Sequence, residues 1–242
     1  MISVVIPAYN ASRFLHDAIA SVRAQAGFLP EILVVDDGSA DDTATVAASL
    51  GSDIRILAQA NQGPAVARNA GVAAARGELI AFLDADDMWP AGRLQLLDTR
   101  LAADPALLMV IGRTQLVVDA PLSDGRRYAT SGMPWHAPVF GSTLIRREAF
   151  AAVGPIDPAL QPAEDMDWFI RARECDLPTA VVQETSLLYR LHGSSLTSGA
   201  DPIRRNMLLA LKRSLDRRRA SPGAGSRRLI SWLPADAGEG AQ

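Results

Sequence analysis

The first half of the chain alternates short apolar runs with longer segments in which apolar residues recur at helical spacing. The short runs predict buried strands, and the longer segments predict helices. Such β-α repetition predicts an α/β fold with a mostly parallel sheet and right-handed crossovers. The predicted strands cover residues 2–7, 32–35, 54–57 and 79–83, and the predicted helices cover 14–22, 41–50 and 61–77.

Beyond Arg100 this alternation changes, and no internal repeat is visible. We expect this part to form additional structure at one edge of the sheet, where a second substrate could bind. The predicted strands cover 107–111, 115–118, 139–145 and 179–190, the predicted helices cover 146–153 and 164–174, and 123–133 is predicted to be a loop or hairpin.

The segment that follows residue 200 is rich in arginine and has an apolar stripe at helical spacing. The stripe consists of Ile203, Met207, Leu208, Leu211 and Leu215. This pattern predicts an amphipathic helix over 200–220, which lies on a membrane surface or packs on the preceding domain with its basic side in water. Residues 221–242 are rich in Gly, Ser, Pro and Ala and are predicted to be disordered.

Composition narrows the classes of protein. With 242 residues, 48% of them apolar, the chain can bury one sizeable core. The net charge of −3 argues against nucleic acid as the main partner. Cys175 is the single cysteine, so an internal disulfide is excluded and a reducing compartment is expected. We therefore expect a cytoplasmic protein, located at the inner face of the membrane if the basic helix binds lipid.

Three carboxylates follow the fourth predicted strand directly, at Asp84, Asp86 and Asp87. The carboxyl ends of strands are where open α/β sheets bind ligands. Acids held this close repel one another, and a divalent cation such as Mg²⁺ or Mn²⁺ removes the repulsion and can hold a diphosphate. The alternative is that Asp86 or Asp87 simply caps a helix that Pro90 begins.

Other polar residues are predicted to reach the same edge of the sheet. They follow the first two strands, as Pro7 to Asn10 and as Asp36, Asp37 and Ser39, or lie in the third helix, as Arg68 and Asn69. This set suits a nucleotide diphosphate, because arginine can offset phosphate charge and carboxylates can accept from base or ribose. No Gly-x-Gly-x-x-Gly follows the first strand and no Walker A sequence is present, which disfavours hydride-transfer and ATP-hydrolysing enzymes.

Six segments together resemble the family 2 inverting glycosyltransferases, which use a nucleotide-diphospho-sugar. The segments are Val4–Asn10, Val34–Ser39, Ala67–Gly71, Phe82–Asp87, Ala163–Trp168 and Tyr189–His192. Each is weak alone, but they occur in the family's order and cover roughly residues 1–198. The Gln-x-x-Arg-Trp sequence of processive synthases is absent, which implies transfer of a single sugar.

The resemblance implies the GT-A fold, a mostly parallel, Rossmann-like sheet flanked by helices with an extension on the acceptor side. The catalytic domain would cover 1–199, with a nucleotide-sugar half (1–100) and an acceptor half (101–199). It implies inverting transfer, dependent on Mg²⁺ or Mn²⁺, from a UDP-linked sugar to a hydroxyl. The acceptor would be a glycan or a lipid-linked molecule. The enzyme would act in the synthesis of cell-surface glycans or polysaccharides.

The resemblance also implies roles for individual residues. Asp165 would be the catalytic base, Asp86 would bind the metal, and His192 would contact the diphosphate or metal. Asp87 would be structural or cap a helix. The substrate site would include Pro7, Tyr9, Asn10, Asp37, Ser39, Arg68, Asp84, Glu164 and Trp168. Of these, Asp37 would bind the base, Asp84 the ribose or sugar, and Trp168 would lie near the acceptor or in the core.

Three questions stay open in the sequence. The helix start lowers the pKa of Asp165, whereas burial and neighbouring acids raise it. A sugar nucleotidyltransferase is an alternative function, although such enzymes carry a glycine-rich, basic loop where this chain has Ala8 to Ser12. A non-catalytic nucleotide- or carbohydrate-binding module is another, although Asp84, Asp86 and Asp165 are all present.

Overall fold

The computed structural model describes residues 1–119, 128–137, 139–192 and 200–220. Short 3-10 turns lie at Phe140–Ser142 and Pro158–Leu160. The strands are β1 (Ile2–Ala8), β2 (Glu31–Asp36), β3 (Ile54–Ala58), β4 (Leu79–Phe82), β5 (Met109–Asp119), β6 (Tyr128–Trp135), β7 (Thr143–Arg146) and β8 (Thr179–Leu191). The helices are α1 (Leu15–Arg23), α2 (Thr43–Ser49), α3 (Pro64–Ala74), α4 (Arg93–Ala102), α5 (Glu148–Val153), α6 (Glu164–Glu174) and α7 (Ala200–Ala220).

The first four strands form the parallel part of the sheet, in the order β3-β2-β1-β4. All of β1 is buried, because apolar clusters lie on both faces of the sheet. Helix α3 packs unusually close to β1, since a Cβ at Gly71 would lie 2.2 Å from Cγ1 of Val5. The parallel direction brings the carboxyl ends of these strands to one edge, as predicted.

The second half completes a mixed sheet. Strand β7 runs antiparallel to β4 and β5, β6 runs antiparallel to β5, and β8 runs parallel to β5. The predicted strands 107–111 and 115–118 are one long strand, β5, whose register shifts near Arg113. The polar residues between them suggested an interruption, but Thr114 is buried and pairs within the sheet. The α/β fold with a mostly parallel sheet flanked by helices is confirmed.

Several predicted boundaries are wrong. The strand predicted over 139–145 begins with a 3-10 turn and is extended only from Thr143. For 123–133, predicted to be a loop or hairpin, the described residues favour the hairpin, because β6 (Tyr128–Trp135) pairs antiparallel with β5. Helix α4 begins at Arg93, three residues after Pro90, because Gly92 has a left-handed backbone (φ +75°) at the helix start. Neither Asp86 nor Asp87 caps it, so that alternative is wrong.

Helix α7 packs against α6 through a face that shares Leu211 with the predicted stripe. Ala210 and Ser214 are fully buried, and Arg217 Nε lies 2.6 Å from Glu174 Oε2 at the end of α6. Leu208 and Leu215 of the stripe remain exposed. None of the helices in the described part of the chain is long and apolar enough to span a bilayer. The predicted disordered tail, 221–242, lies outside the described residues, as does 193–199 at the end of the predicted catalytic domain.

Candidate functional site

The acid turn after β4 is held against the end of β8. The backbone N–H of Asp87 donates to the carbonyl of Asp84 (3.0 Å), which closes the turn. Met88 and Leu188 exchange two backbone hydrogen bonds of 3.1 and 2.9 Å. The carboxylate of Asp87 accepts from the backbone N–H of Arg190 (2.9 Å) and is buried. Asp87 is therefore a structural acid that fastens the turn to β8.

This fastening places His192 on Asp86. The imidazole Nε2 lies 2.8 Å from Oδ2 of Asp86, and the ring of Phe14 stacks on His192 with 4.5 Å between centroids. Burial raises the pKa of Asp86, the nearby Asp84 raises it further, and His192 opposes both. A carboxylate and an imidazole are thus held side by side at the edge of the sheet.

The Asp86–His192 pair fits a partial metal site. Among the residues that the structure describes, no group of three or more His, Cys, Asp or Glu side chains could hold a metal alone. Mg²⁺ commonly takes only one or two protein ligands and completes its shell with phosphate oxygens and water. Two adjacent ligands of an octahedral ion at its preferred radius lie about 3 Å apart. The 2.8 Å between His192 Nε2 and Asp86 Oδ2 is a hydrogen-bond length, and this bond keeps the two potential ligand atoms together at the edge of the sheet.

Arg68 forms the centre of a second, more buried cluster. Its Nη2 lies 2.7 Å from Asp84 Oδ1, and its Nη1 lies 2.9 Å from Glu164 Oε1 and 3.4 Å from Asp165 Oδ1. Arg68 and Glu164 are buried, and a buried charge is retained only where it is paired. One guanidinium on α3 therefore joins the turn after β4 to the start of α6.

Asp165 is held from two sides within this cluster. Its second oxygen accepts from the backbone N–H of Phe140 (3.0 Å), and 21% of its side chain is exposed. Burial raises the pKa of Asp165 to about 7, Glu164 and Asp84 raise it as well, and Arg68 opposes them. Burial thus outweighs the helix start, and the carboxyl is suited to exchange a proton near neutral pH.

The residues assigned to the nucleotide pocket lie at the ends of β1 and β2. Tyr9 is half exposed and can stack on a planar ring, whereas Pro7 is buried within β1. Asn10 ties the two loops together, because its backbone N–H donates to Ser39 Oγ (3.0 Å) and its Oδ1 accepts from Ala40 N (2.8 Å). Asn10 and Ser39 therefore hold the loops after β1 and β2 together.

Asp37 is also engaged within the protein. Its buried carboxylate accepts from the backbone N–H groups of Gln62 (2.9 Å) and Gly63 (2.7 Å) and from the side-chain amide of Gln59 (2.7 Å). These bonds fix the turn that leads into α3, which carries Arg68. Direct binding of a base by Asp37 stays a prediction, and the structure adds this positioning role to it.

The structure contradicts the substrate-site role predicted for Trp168. Its side chain is fully buried, and its indole N–H donates to the carbonyl of Gly154 (3.0 Å). Phe140 and Phe150 pack on it with ring centroids 5.2 and 5.1 Å away. A side chain enclosed in this way cannot touch a substrate, so the assignment to the substrate site is wrong and the core alternative is right.

Two aromatic residues of the site were not predicted. Phe140 contributes its backbone N–H to Asp165, and no side-chain pattern in a sequence signals that. Phe14 falls on the apolar face predicted for α1, so the sequence alone indicates an ordinary core residue, whereas in the structure its ring packs on His192. Arg190, in the segment before His192, is buried and pairs with Asp17 (3.0 Å), so it supports the end of β8 from behind.

Curated relatives cover most of the chain. An uncharacterized glycosyltransferase of Nostoc sp. is 34% identical over 218 residues, covering 80% of this chain and 66% of its own length. The succinoglycan biosynthesis protein ExoO of Rhizobium meliloti is 32% identical, and the putative glycosyltransferase EpsH of Bacillus subtilis is 30% identical. Each match covers 81% of this chain and 62% of the relative. The chain thus spans less than two thirds of the length of these relatives.

A solved structure shares the fold. Residues 1–349 of S. aureus TarS, in complex with UDP-GlcNAc, match with a TM-score of 0.66 and 20% identity, covering 86% of this chain and 65% of TarS 1–349. At that identity the likeness supports the GT-A fold alone. The family model described as glycosyl transferase family 2 matches residues 3–154. The chain therefore belongs to glycosyl transferase family 2.

Proposed function

We propose that the chain transfers a single sugar from a nucleotide-diphospho-sugar to an acceptor hydroxyl, with inversion at the anomeric carbon. The observation that carries the proposal is the geometry of Asp165. Its carboxylate is held by Arg68 and the backbone N–H of Phe140, at the edge of the sheet that also presents Asp84 and Asp86. A largely enclosed carboxyl whose pKa is raised to about 7 is suited to act as a general base.

The reaction follows from that base. Asp165 accepts the proton of the acceptor hydroxyl, and the hydroxyl oxygen attacks the anomeric carbon from the side opposite the diphosphate. The new carbon–oxygen bond forms as the bond to the diphosphate oxygen breaks, so the configuration inverts and the nucleoside diphosphate leaves. Arg68 and Phe140 N–H hold the carboxylate in place during this step.

Asp86 and His192 are proposed to hold Mg²⁺ or Mn²⁺ together with the diphosphate oxygens. The ion would stabilise the negative charge that develops on the leaving diphosphate. Tyr9, half exposed at the end of β1, is placed to stack on the base, and Asp84, bonded to Arg68, lies between the metal pair and Asp165. These roles leave the acceptor on the side of α6.

UDP is proposed as the nucleotide, and a glycan or a lipid-linked sugar as the acceptor, in surface polysaccharide synthesis. Support for UDP comes from the shared fold with TarS, which was solved with UDP and with UDP-GlcNAc. Support for the pathway comes from ExoO, which is named for succinoglycan biosynthesis.

The test is an analysis of products. The protein is incubated with Mn²⁺, an acceptor mixture and a panel of UDP-, GDP- and dTDP-sugars, and the released nucleotide is measured. We expect free UDP, and NMR of the glycoside should show the anomeric configuration opposite to that of the donor. Retention of configuration would contradict the proposed mechanism. Release of pyrophosphate from a sugar phosphate and UTP would instead identify a nucleotidyltransferase, and no turnover with intact UDP-sugar binding would identify a binding module.

A further inference from the structure

The side of α7 that points away from α6 combines exposed leucines with basic residues. At 100° per residue, the positions opposite the buried Ala210 form what we call the outer face. The outer face consists of Arg204, Arg205, Leu208, Lys212, Leu215, Asp216 and Arg219. Leu208 is 62% exposed and Leu215 is 46% exposed, on a helix whose other side already packs on the domain. The side of the helix that faces away from the domain therefore combines apolar and basic residues of its own.

The basic residues of α7 divide into two groups. Arg213 and Arg217, on the inner side, form ion pairs with Asp157 and Glu174 and so attach the helix to the domain. On the outer face, Arg204 and Arg205 form no ion pair with any residue that the structure describes. Packing on the domain therefore does not explain the outer arginines.

The remaining cations of the outer face are weakly compensated. Lys212 and Arg219 approach Asp216 at 3.7 and 4.0 Å, and all three side chains are largely exposed. Exposed pairs of this kind contribute little, so the outer face keeps a positive surplus. Leucines that enter an interface, flanked by long basic side chains that reach anionic head groups, are the chemistry of a helix lying on a lipid surface.

The contacts between α7 and α6 show where the outer face lies relative to Asp165. The side-chain amide of Asn206 donates to the carbonyl of Gln161, just before α6, and Arg217 reaches Glu174 at the end of α6. The two helices thus run side by side in the same direction. The first half of α7 lies beside the start of α6, where Asp165 is located.

We propose that the outer face of α7 binds the surface of an anionic lipid bilayer. The helix lies in the plane of the interface, with Leu208 and Leu215 inserted and the basic side chains at the head groups. This orientation would bring a lipid-linked acceptor towards Asp165. That last consequence rests on the proposed function, whereas lipid binding itself does not.

Sedimentation with vesicles tests the proposal on the full chain. The vesicles are phosphatidylcholine alone or a 7:3 mixture with phosphatidylserine (~30% anionic lipid), and each is used at low and at high salt. We expect binding to the anionic vesicles at low salt, loss of most of it at high salt, and weak binding to neutral vesicles. Because each basic residue near such a surface contributes about a fivefold gain in affinity, Arg204→Gln with Arg205→Gln should weaken binding by about 25-fold.

Two further double variants separate the leucines from general surface changes. Leu208→Ser with Leu215→Ser should abolish most binding, because the apolar insertion is lost. The matched control is Leu29→Ser with Arg100→Gln, since Leu29 is 99% exposed and Arg100 is exposed on α4, both away from α7. The control should bind as the unchanged chain does. Circular dichroism and UDP release with a water-soluble acceptor check the fold and the site of each variant separately from lipid binding.

Several results would overturn the proposal whatever the catalytic activity. They are absence of binding to anionic vesicles at low salt, equal binding to both kinds of vesicle, and full binding by the leucine variant. Light scattering could instead show that the unchanged chain is a dimer and that the leucine variant is a monomer. Together with absence of vesicle binding, that result would assign the outer face to a second copy of the chain.

Discussion

The two ends of the site differ in how fully their polar side chains are bonded within the protein. At one end, Arg68 is buried and bonds three carboxylates, and Asp165 is held by that arginine and by Phe140 N–H. At the other end, Asp86 and His192 share one contact and Asp86 is partly open to solvent. The difference indicates that the protein alone holds Asp165, the proposed base, whereas the proposed metal site at Asp86 and His192 would need substrate oxygens and water to be completed.

Removing the base should give the largest effect. Asp165→Asn keeps the size and can still accept from Phe140 N–H, but it cannot take a proton. We expect turnover to fall by about 10²–10⁴-fold, the usual contribution of a general base, while UDP affinity stays near that of the unchanged protein. A turnover assay and calorimetry with UDP separate the two quantities.

Glu164→Gln is the matched control for that change, because Glu164 is the neighbouring acid on the same arginine. It should lose far less turnover than Asp165→Asn. If Asp165→Asn keeps most of its activity while Glu164→Gln loses it, the base is Glu164 and the assignment above is wrong.

Removing the proposed metal, or its proposed ligand Asp86, should give the next largest effect. Asp86→Ala, or excess EDTA, should lower turnover by at least about 100-fold, because charge on the leaving diphosphate would no longer be neutralised. The melting temperature should change little, since Asp86 lies partly open at a strand end.

Asp87→Ala is the contrasting variant at this end. It should lower the melting temperature by several degrees, because the buried N–H of Arg190 would lose its acceptor, at a cost of about 1–3 kcal/mol. Full activity in excess EDTA would contradict metal dependence, and a larger stability loss in Asp86→Ala than in Asp87→Ala would reverse the two roles.

Changing Arg68 should alter the pH dependence as well as the rate. Arg68 lowers the pKa of Asp165 against the effect of burial, so its removal should raise that pKa. Because the base must be ionised, the acid limb of the kcat profile in Arg68→Met should move to higher pH by about 1–3 units. Arg68→Lys keeps the charge and should restore part of the limb. A limb that stays in place in Arg68→Met would show that Arg68 acts on structure alone.

The sequence predicts well which residues meet at this edge of the sheet, for a physical reason. The acid turn, Arg68 and the ends of β1 and β2 follow from strand and helix periods, because parallel strands bring their carboxyl ends to one edge. The bonds within the site do not follow in that way. Arg68 and Asp165 are 97 residues apart along the chain, and periodicity carries no information on which distant groups meet.

The part of the chain beyond residue 100 is less predictable for the same reason. Its strands pair in mixed directions, and the continuous β5, which pairs with β6, β7 and β8, contains the buried polar residues Thr114 and Gln115. Tryptophan is a residue type that can stack on sugars, and only three-dimensional packing shows that Phe140 and Phe150 enclose Trp168. Local patterns therefore identify the chemistry of the site, whereas burial decides which residues can perform it.

The smallest predicted effect is on stability, and it tests whether the base is held at a cost. The folded pKa of Asp165 is about 7 against an ordinary value of 3.8, so between those pH values the folded state keeps a proton that the unfolded chain loses. The free energy of unfolding therefore falls as pH rises through this window and the contribution is constant above it. Asparagine does not ionise, so Asp165→Asn should melt at least about 2 °C above the unchanged protein at pH 8.5, with a smaller difference at pH 5. Calorimetric melting at both pH values measures this. A lower melting temperature at pH 8.5 would mean that Arg68 and Phe140 stabilise the carboxylate by more than burial disfavours it.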